Sequence, residues 1–325
     1  MREFERPTIF VSRCIEHKAC RYDGSIIGSA FIKKIKPHVN IITECPEVAI
    51  GLSIPRQAIR IIMEDDVEKL VYSMTGEDVS EDMINFSATF LSDLKNKNIH
   101  GAVLKSRSPS CGIKDVKMYK GTGRVSSLTK KTKGFFGKAF LEAFPELAVE
   151  DEGRISNYQI REHFLTRIYT MAAFDKVKAS QSMKSLVKFQ SDNKYLLMAY
   201  HQANQKVLGK IVANHEHKPV KEVMEAYEEV LYKSFMNPMR QGRNMNMLLH
   251  LFGYFSKELN KDEKAFFLDR MEDYQNHKIP YSVPLSIIHS WAIRFDNPYL
   301  KDQTIFEAYP KVLIDVNDSG KGVDK

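Results

Sequence analysis

The sequence predicts an α/β protein: an N-terminal Rossmann-like parallel sheet covered by helices, followed by a mainly α-helical C-terminal domain. Over about the first 150 residues, short apolar segments alternate with helical ones, which is the βαβ rhythm of a parallel sheet. After Ser180 there are no cysteines, and long helical patterns replace the strand-like runs. We therefore predict a first domain over 1–178, a helical domain over 179–315 and a disordered tail over 316–325.

The predicted elements follow from the local patterns. Strands are predicted over 8–12, 39–42, 55–62, 101–105 and 145–149. Helices are predicted over 27–35, from Ser80 onward with that serine as the N-cap, over 154–174, over 248–259 and from 281 through Trp291.

The composition is that of a soluble globular protein, with 43% hydrophobic and 27% charged residues. No run approaches the ~18–20 apolar residues of a membrane span, so we predict no membrane association. The N-terminus lacks the apolar core of a secretory signal, which predicts a cytoplasmic location. In a reducing cytoplasm, grouped cysteines more often bind metal or take part in catalysis than form disulfides.

Positive charge is concentrated in one segment. The net charge is +7, and the run from Lys114 to Lys138 contains eight basic residues against a single acid, Asp115. One interpretation is a solvated surface; the other is a surface for a polyanion such as tRNA. Arg240 and Arg243 are further candidates for that surface, with an exposed helix start as the alternative.

Three of the four cysteines follow predicted strands: Cys14, Cys45 and Cys111. Ligands of open parallel sheets bind outside the carboxyl ends of the strands, so three thiols delivered there can converge. Their spacing matches no zinc finger or ferredoxin pattern. Soft thiolates select iron–sulfur clusters, zinc or Cu(I), and buried free thiols are the remaining interpretation.

Four sequence blocks resemble, in order, the signature of the thiouracil desulfidase (TudS) family. They are VSRC over 11–14, CRYDG over 20–24, CPEVAIGLSIPR over 45–56 and KSRSPSCG over 105–112. The resemblance covers about residues 7–175. A later region, over 274–310, resembles a second domain found fused to it. This arrangement is similar to the RudS-type desulfidases that act on 4-thiouridine in tRNA and on related thiolated nucleotides.

The resemblance implies a [4Fe-4S] cluster held by Cys14, Cys45 and Cys111. Cys20 occupies a position where the family often has valine, so we expect a neighbouring thiol and not a ligand. Three thiolates leave one iron open to the sulfur of a thiocarbonyl group. The implied reaction is a non-redox desulfuration in which water attacks the ring carbon and hydrosulfide is released.

Within these blocks Glu47 is the candidate general base, with a helix-cap or surface carboxylate as the alternative. Ser108 is the candidate donor of a hydrogen bond or proton to the pyrimidine; its alternative is a turn residue before Pro109. Asp23 and Lys105 are weaker candidates for substrate binding or loop support. We expect Tyr22 to pack against its surroundings.

The predicted function is therefore a [4Fe-4S]-dependent desulfidase. It would convert 4-thiouridine in tRNA, or thiolated uracil nucleotides, to uridine or uracil. The competing interpretation is a non-catalytic iron–sulfur or zinc protein that binds RNA in an accessory role.

Overall fold

A computed structural model describes residues 2–315 of the chain, so the predicted tail over 316–325 lies outside the described residues. The chain divides into two compact units. The first, which we call the sheet unit, comprises 5–172 with 312–315. The second, the helical unit, comprises 2–4 with 173–311.

The sheet unit contains eight described strands and four complete helices. The strands are β1 (Thr8–Ser12), β2 (Asn40–Glu44), β3 (Ile59–Glu64), β4 (Val67–Tyr72), β5 (Gly101–Leu104), β6 (Val116–Tyr119), β7 (Ser127–Thr132) and β8 (Ala148–Asp151). The helices are α1 (Ala30–Ile35), α2 (Pro46–Ala49), α3 (Ser80–Lys95) and α4 (Phe135–Ala143). A longer helix, α5 (Tyr158–Ser180), begins in this unit.

The predicted parallel sheet is confirmed. Its strand order is β2-β1-β5-β8, and every neighbouring pair is parallel. The strands β1 and β5 are buried throughout or nearly so, as expected where helices and loops cover both faces. Their carboxyl ends therefore share one edge of the sheet with the end of β2.

A second sheet was not foreseen from the sequence. Its order is β4-β3-β6-β7, with antiparallel outer pairs around a parallel β3–β6 pair. The strand β7 is largely exposed and lysine-bearing, so its sequence carries little of the alternation that predicts a strand.

The core of the sheet unit lies between the two sheets and the helices α3 and α4. Phe10 of β1 is fully buried, and its ring lies 5.9 Å from Phe136 and 5.6 Å from Phe140, both on α4. This aromatic packing fixes α4 against the parallel sheet. It thereby places the N-terminal turn of α4 beside the loop that follows β5.

Two local predictions are wrong. Ser80 is not the N-cap of α3; Val79 holds that position, and the Ser80 hydroxyl accepts a hydrogen bond from the Leu70 amide at 2.7 Å. The stripe over 248–259 does not form one helix, because the helix there ends at Gly253 and turns follow.

The helical unit confirms the predicted mainly α-helical region. Its helices are α6 (Met183–Asp192), α7 (Lys194–Ala213), α8 (Val220–Ser234), α9 (Gln241–Gly253), α10 (Lys261–Gln275), α11 (Ser282–Arg294) and α12 (Pro298–Lys301). Helix α7 is kinked at His201, and Arg243 donates a hydrogen bond to the Tyr200 carbonyl at that kink. Across residues 2–315, none of the helices has the length and apolar character needed to cross a membrane.

Candidate functional site

All five predicted site residues line one cavity of about 310 Å³ at the carboxyl edge of the parallel sheet. Cys14 follows β1 by two residues, and Cys45 follows β2 directly. Cys111 reaches the same place on the loop after β5, together with Ser108. Glu47 enters from the first turn of α2, two residues beyond Cys45. The structure brings these residues together, while their chemical roles stay predictions.

The thiols are buried and close enough to influence one another. Burial raises the pKa of Cys14 to about 12, and the neighbouring thiols of Cys20 and Cys45 add to the shift. Burial also raises the pKa of Cys20 to about 12, with Cys45 as the next cause. The pKa of Cys111 is raised as well, first by burial and then by Cys14. A metal bound here must displace thiol protons.

The donor set of the cavity suits some metal groups better than others. Within the described part of the chain, no three His, Cys, Asp or Glu side chains stand close enough to hold a single metal ion. One zinc ion needs its ligands within about 4 Å of each other, because each Zn–S bond is only ~2.3 Å long. An iron–sulfur cluster presents a different iron to each thiolate and so accepts ligands that stand farther apart. Cys14, Cys45 and Cys111 supply the soft thiolate ligands that such a cluster selects.

Glu47 is held from one side by a buried arginine that sequence reasoning missed. Arg56 donates to Glu47 Oε2 from Nη2 at 2.6 Å and from Nε at 3.1 Å. Only 2% of the Arg56 side chain and 14% of the Glu47 side chain are exposed. Arg56 also donates to the carbonyls of Ser53 and Cys20. The carboxylate is therefore a fixed, buried ion-pair partner and not a mobile surface group.

A chain of two serine hydroxyls approaches the other oxygen of Glu47. Ser110 Oγ donates to Glu47 Oε1 at 2.6 Å, and Ser108 Oγ lies 2.9 Å from Ser110 Oγ. Ser108 Oγ accepts from the backbone amides of Ser110 and Cys111, each at 3.2 Å. Since the single Ser110 hydrogen goes to Glu47, the Ser108 hydrogen is left to donate to Ser110.

This count of donors leaves Glu47 with one open acceptor position. Each carboxylate oxygen has two lone pairs. Both on Oε2 receive Arg56 N–H groups, whereas Oε1 receives a hydrogen bond only from Ser110 among the residues that the structure describes. A water molecule in the cavity can therefore be bound and deprotonated only at Oε1.

A second ion pair closes the β5–β8 side of the cavity. Lys105 Nζ lies 2.6 Å from Glu152 Oε1, and Glu152 also accepts from the Ser106 amide at 2.6 Å and its hydroxyl at 2.7 Å. The Lys105 amide in turn donates to Ser12 Oγ at 3.0 Å. Lys105 thus ties the loop after β5 to the ends of β1 and β8, which supports its predicted role in loop support.

The Cys111 loop rests directly on the first turn of α4. The amides of Phe135 and Gly137 donate to the carbonyls of Pro109 and Ser110 at 3.0 and 2.9 Å. A Cβ atom at Gly137 would lie 2.6 Å from the Gly112 carbonyl oxygen and 2.7 Å from that of Cys111. Only glycine permits this approach, which explains the glycine at position 137.

Two further predicted residues lie at or beside the cavity. Tyr22 lines it with 43% of its surface exposed and with Arg21 over its ring at 5.5 Å, so the expectation that it packs, and does not stack on a substrate, stays a prediction. Asp23 forms hydrogen bonds to Ser25 beside the cavity and does not line it.

Comparison with known proteins finds a family model that matches within each unit. The 2-thiouracil desulfurase family model matches residues 9–152, and the model described as a protein of unknown function (DUF1722) matches residues 194–310. The uncharacterized protein YbbK of Bacillus subtilis (strain 168) is 34% identical over 126 residues, which are 37% of this chain and 82% of YbbK. The chain belongs to the 2-thiouracil desulfurase family. Membership supports an enzyme that removes sulfur from thiouracil.

Two further proteins are similar to this desulfurase family member. The uncharacterized protein YbgA of Escherichia coli (strain K12) is 23% identical over 151 residues, 46% of this chain and 89% of YbgA. The solved structure of the [4Fe-4S]-dependent thiouracil desulfidase TudS is 27% identical over 46% of this chain and 93% of that protein, with a TM-score of 0.38.

The two predicted basic regions have different surroundings. Between Lys114 and Lys138 most cations are exposed, on β6, on β7 and in the loop that joins them. Arg240 is exposed at the start of α9, whereas Arg243 is half-buried and bonded to the Tyr200 carbonyl. Arg243 therefore stabilises the α7 kink, a role that the sequence did not indicate.

Proposed function

We propose that this protein is a [4Fe-4S]-dependent, non-redox desulfidase that converts 4-thiouridine in tRNA, or thiolated uracil nucleotides, to the uridine form with release of hydrosulfide. The observation that carries the proposal is the convergence of Cys14, Cys45 and Cys111 on a cavity walled by Glu47 and Ser108. The family resemblance supplies the reaction class, and the three cysteine thiols of the cavity supply the soft ligands that an iron–sulfur cluster selects.

Cys14, Cys45 and Cys111 would hold the cluster. When bound, the cluster supplies a Lewis-acidic iron with affinity for the sulfur of the thiocarbonyl group. The remaining chemistry belongs to side chains on the cavity wall. Glu47 binds the attacking water at its open Oε1 position and takes up one of its protons.

The serine chain connects this base to a proton donor. In this arrangement Ser108 accepts two amide hydrogens and donates its own hydrogen to Ser110, so it has no hydrogen left to donate to a substrate. Once Glu47 is protonated, its carboxyl group can donate to Ser110, and the Ser108 hydrogen becomes free to form a hydrogen bond to the pyrimidine. The step balances because water and the thiocarbonyl group give a carbonyl group, hydrosulfide and one proton: hydrosulfide keeps one water hydrogen, and Glu47 releases the other to solvent.

The tRNA substrate draws support from the basic hairpin of β6 and β7. Lys117 and Lys131 are direct cross-strand partners, and both are exposed. Like charges in this position destabilise a sheet unless an anion lies between them. Asp115 lies 3.5 Å from Lys131 but is itself half exposed, so its contribution is small. A phosphate backbone would supply the missing negative charge.

The test is anaerobic reconstitution with iron and sulfide, followed by incubation with 4-thiouracil, 4-thiouridine monophosphate and tRNA that contains 4-thiouridine. We expect a brown protein, hydrosulfide release, and loss of 4-thiouridine measured by nucleoside mass spectrometry. Cys45→Ser should lose the cluster, while Cys20→Val should keep it. A colourless protein that holds only zinc would contradict the proposal, as would a brown protein that leaves all three substrates unchanged.

The tRNA surface has its own test. The slope of log affinity against log salt should fall by about one for each lysine removed in Lys117→Ser and Lys131→Ser. The control is Lys97→Ser, an exposed lysine beyond the end of α3. If the salt dependence of tRNA affinity is the same in all three variants and in the unmodified protein, tRNA does not bind to the β6–β7 hairpin.

A further inference from the structure

The sheet unit contains a second and larger cavity, of about 760 Å³, which shares no lining residue with the thiol cavity. Its walls are α3, α4 and the first residues of β4, with Lys133 at one end. The volume lies in the range of cavities that bind small organic molecules, about 300–1,000 Å³. Neither the desulfuration chemistry nor the thiol site uses it.

The wall of this cavity is apolar where the two helices face each other. Leu91 of α3 and Ala139 of α4 lie there, with Phe135 at the start of α4. Ile84 lines the same wall, with 55% of its surface exposed. An exposed, concave apolar surface of this kind is stabilised when an apolar ligand covers it.

The rim of the cavity carries three lysines: Lys95, Lys133 and Lys138. All three are exposed, and no carboxylate among the described residues lies within ion-pair distance of them. Asp66, Glu68 and Glu142 also line the cavity, and Glu68 accepts a hydrogen bond from Thr132 Oγ1 at 2.8 Å. These acids would repel a polyanion such as nucleic acid. A ligand with a single anionic group can place that group beside the lysines, which attract it.

The first turn of α4 lies between this cavity and the Cys111 loop. Phe135, Lys138 and Ala139 face the cavity, while the amides of Phe135 and Gly137 hold the carbonyls of Pro109 and Ser110. Because the backbone packs so closely at Gly137, a displacement of this turn cannot be absorbed locally. The loop that carries Ser110 and Cys111 would have to move with it.

We propose that this cavity binds a small apolar monoanion, and that its occupancy is transmitted through the first turn of α4 to the Cys111 loop. The site would thus regulate the reaction centre from the far side of α4. The proposal goes beyond desulfuration and does not require it, because binding and loop movement can both be measured in the cluster-free protein.

The probe is 1-anilinonaphthalene-8-sulfonate, an aromatic monoanion, titrated by fluorescence into the full chain under anaerobic, reducing conditions. We expect one site, binding roughly tenfold weaker in the Lys133→Ser, Lys138→Ser double variant, and no binding in Ala139→Trp, which fills the cavity. Lys97→Ser lies outside the cavity and should bind like the unmodified protein. The lysine variants keep the test decisive if Ala139→Trp does not fold.

Transmission is measured by iodoacetamide alkylation of Cys111, followed by peptide mass spectrometry. Saturation with the probe should change the alkylation rate severalfold in the unmodified protein and leave it unchanged in Ala139→Trp. Probe binding that is insensitive to both the lysine variants and Ala139→Trp would overturn the site. Specific binding with an unchanged alkylation rate would overturn the coupling through α4.

Discussion

The Arg56 guanidinium donates from two of its nitrogens to a single carboxylate oxygen of Glu47, at 2.6 and 3.1 Å. This contact fills one oxygen of the carboxylate and leaves the other to Ser110 and to the cavity. It therefore decides which lone pair of Glu47 can act on a water molecule. The predictions below start from this contact and from the packing that surrounds it.

Arg56→Lys should lower turnover about 10- to 100-fold, because a single ammonium group cannot fill both acceptor positions of Oε2. The measurement is the rate of hydrosulfide release by reconstituted enzyme under single-turnover conditions. Arg294→Lys is the matched control, since Arg294 forms an exposed ion pair with Glu263 far along the chain. Unchanged turnover in Arg56→Lys would mean that the orientation of Glu47 does not matter.

Gly137→Ala should destabilise the sheet unit by about 3 kcal/mol and prevent cluster assembly, because the added Cβ would overlap two backbone oxygens of the Cys111 loop. Urea unfolding and iron content after reconstitution measure the two effects. Gly209→Ala on α7 is the control: its Cβ would meet only Gln190 Nε2, at 4.0 Å. That substitution should be neutral or stabilise by up to about 1 kcal/mol. Equal behaviour of the two variants would contradict the packing argument.

His163 on α5 should make the protein less stable in mild acid. Burial, with the Arg167 charge as a second cause, lowers the pKa of His163 from 6.5 to about 3. The unfolded chain then binds a proton that the folded chain excludes as the pH falls below 6.5. Stability is fully present above that pH and is lost below it, by about 2 kcal/mol between pH 7 and pH 5.

The check is urea unfolding of the cluster-free protein at both pH values, with His163→Asn and the exposed control His215→Asn. The loss between pH 7 and pH 5 should shrink in His163→Asn and persist in His215→Asn. If the acid-induced loss is the same in all three proteins, other groups account for it.

The sequence was sufficient to predict the convergence of the three thiols. Strand positions follow from local apolar patterns, and parallel strands must end at one edge, so Cys14, Cys45 and Cys111 could be placed together before any contact was known. The same reasoning separated the sheet region from the helical one.

The contacts that organise Glu47 could not be read in this way. Ser110 lies 63 positions from Glu47, and the Gly137 approach to Cys111 joins two separate segments. Such pairings depend on how loops pack in three dimensions and leave no periodic signal in the sequence. The second sheet escaped prediction for a similar reason, because the lysines of β7 obscure its alternation.

Glu47→Gln tests the central claim most directly, because the amide keeps the size of the carboxylate and cannot take up a proton from water. The account predicts that turnover of thiolated substrate falls about 10³-fold while the iron and sulfide content and the visible absorbance of the reconstituted protein stay unchanged. Glu81→Gln, at an exposed position on α3, should retain full turnover. Near-normal turnover by Glu47→Gln protein with a complete cluster would contradict the account.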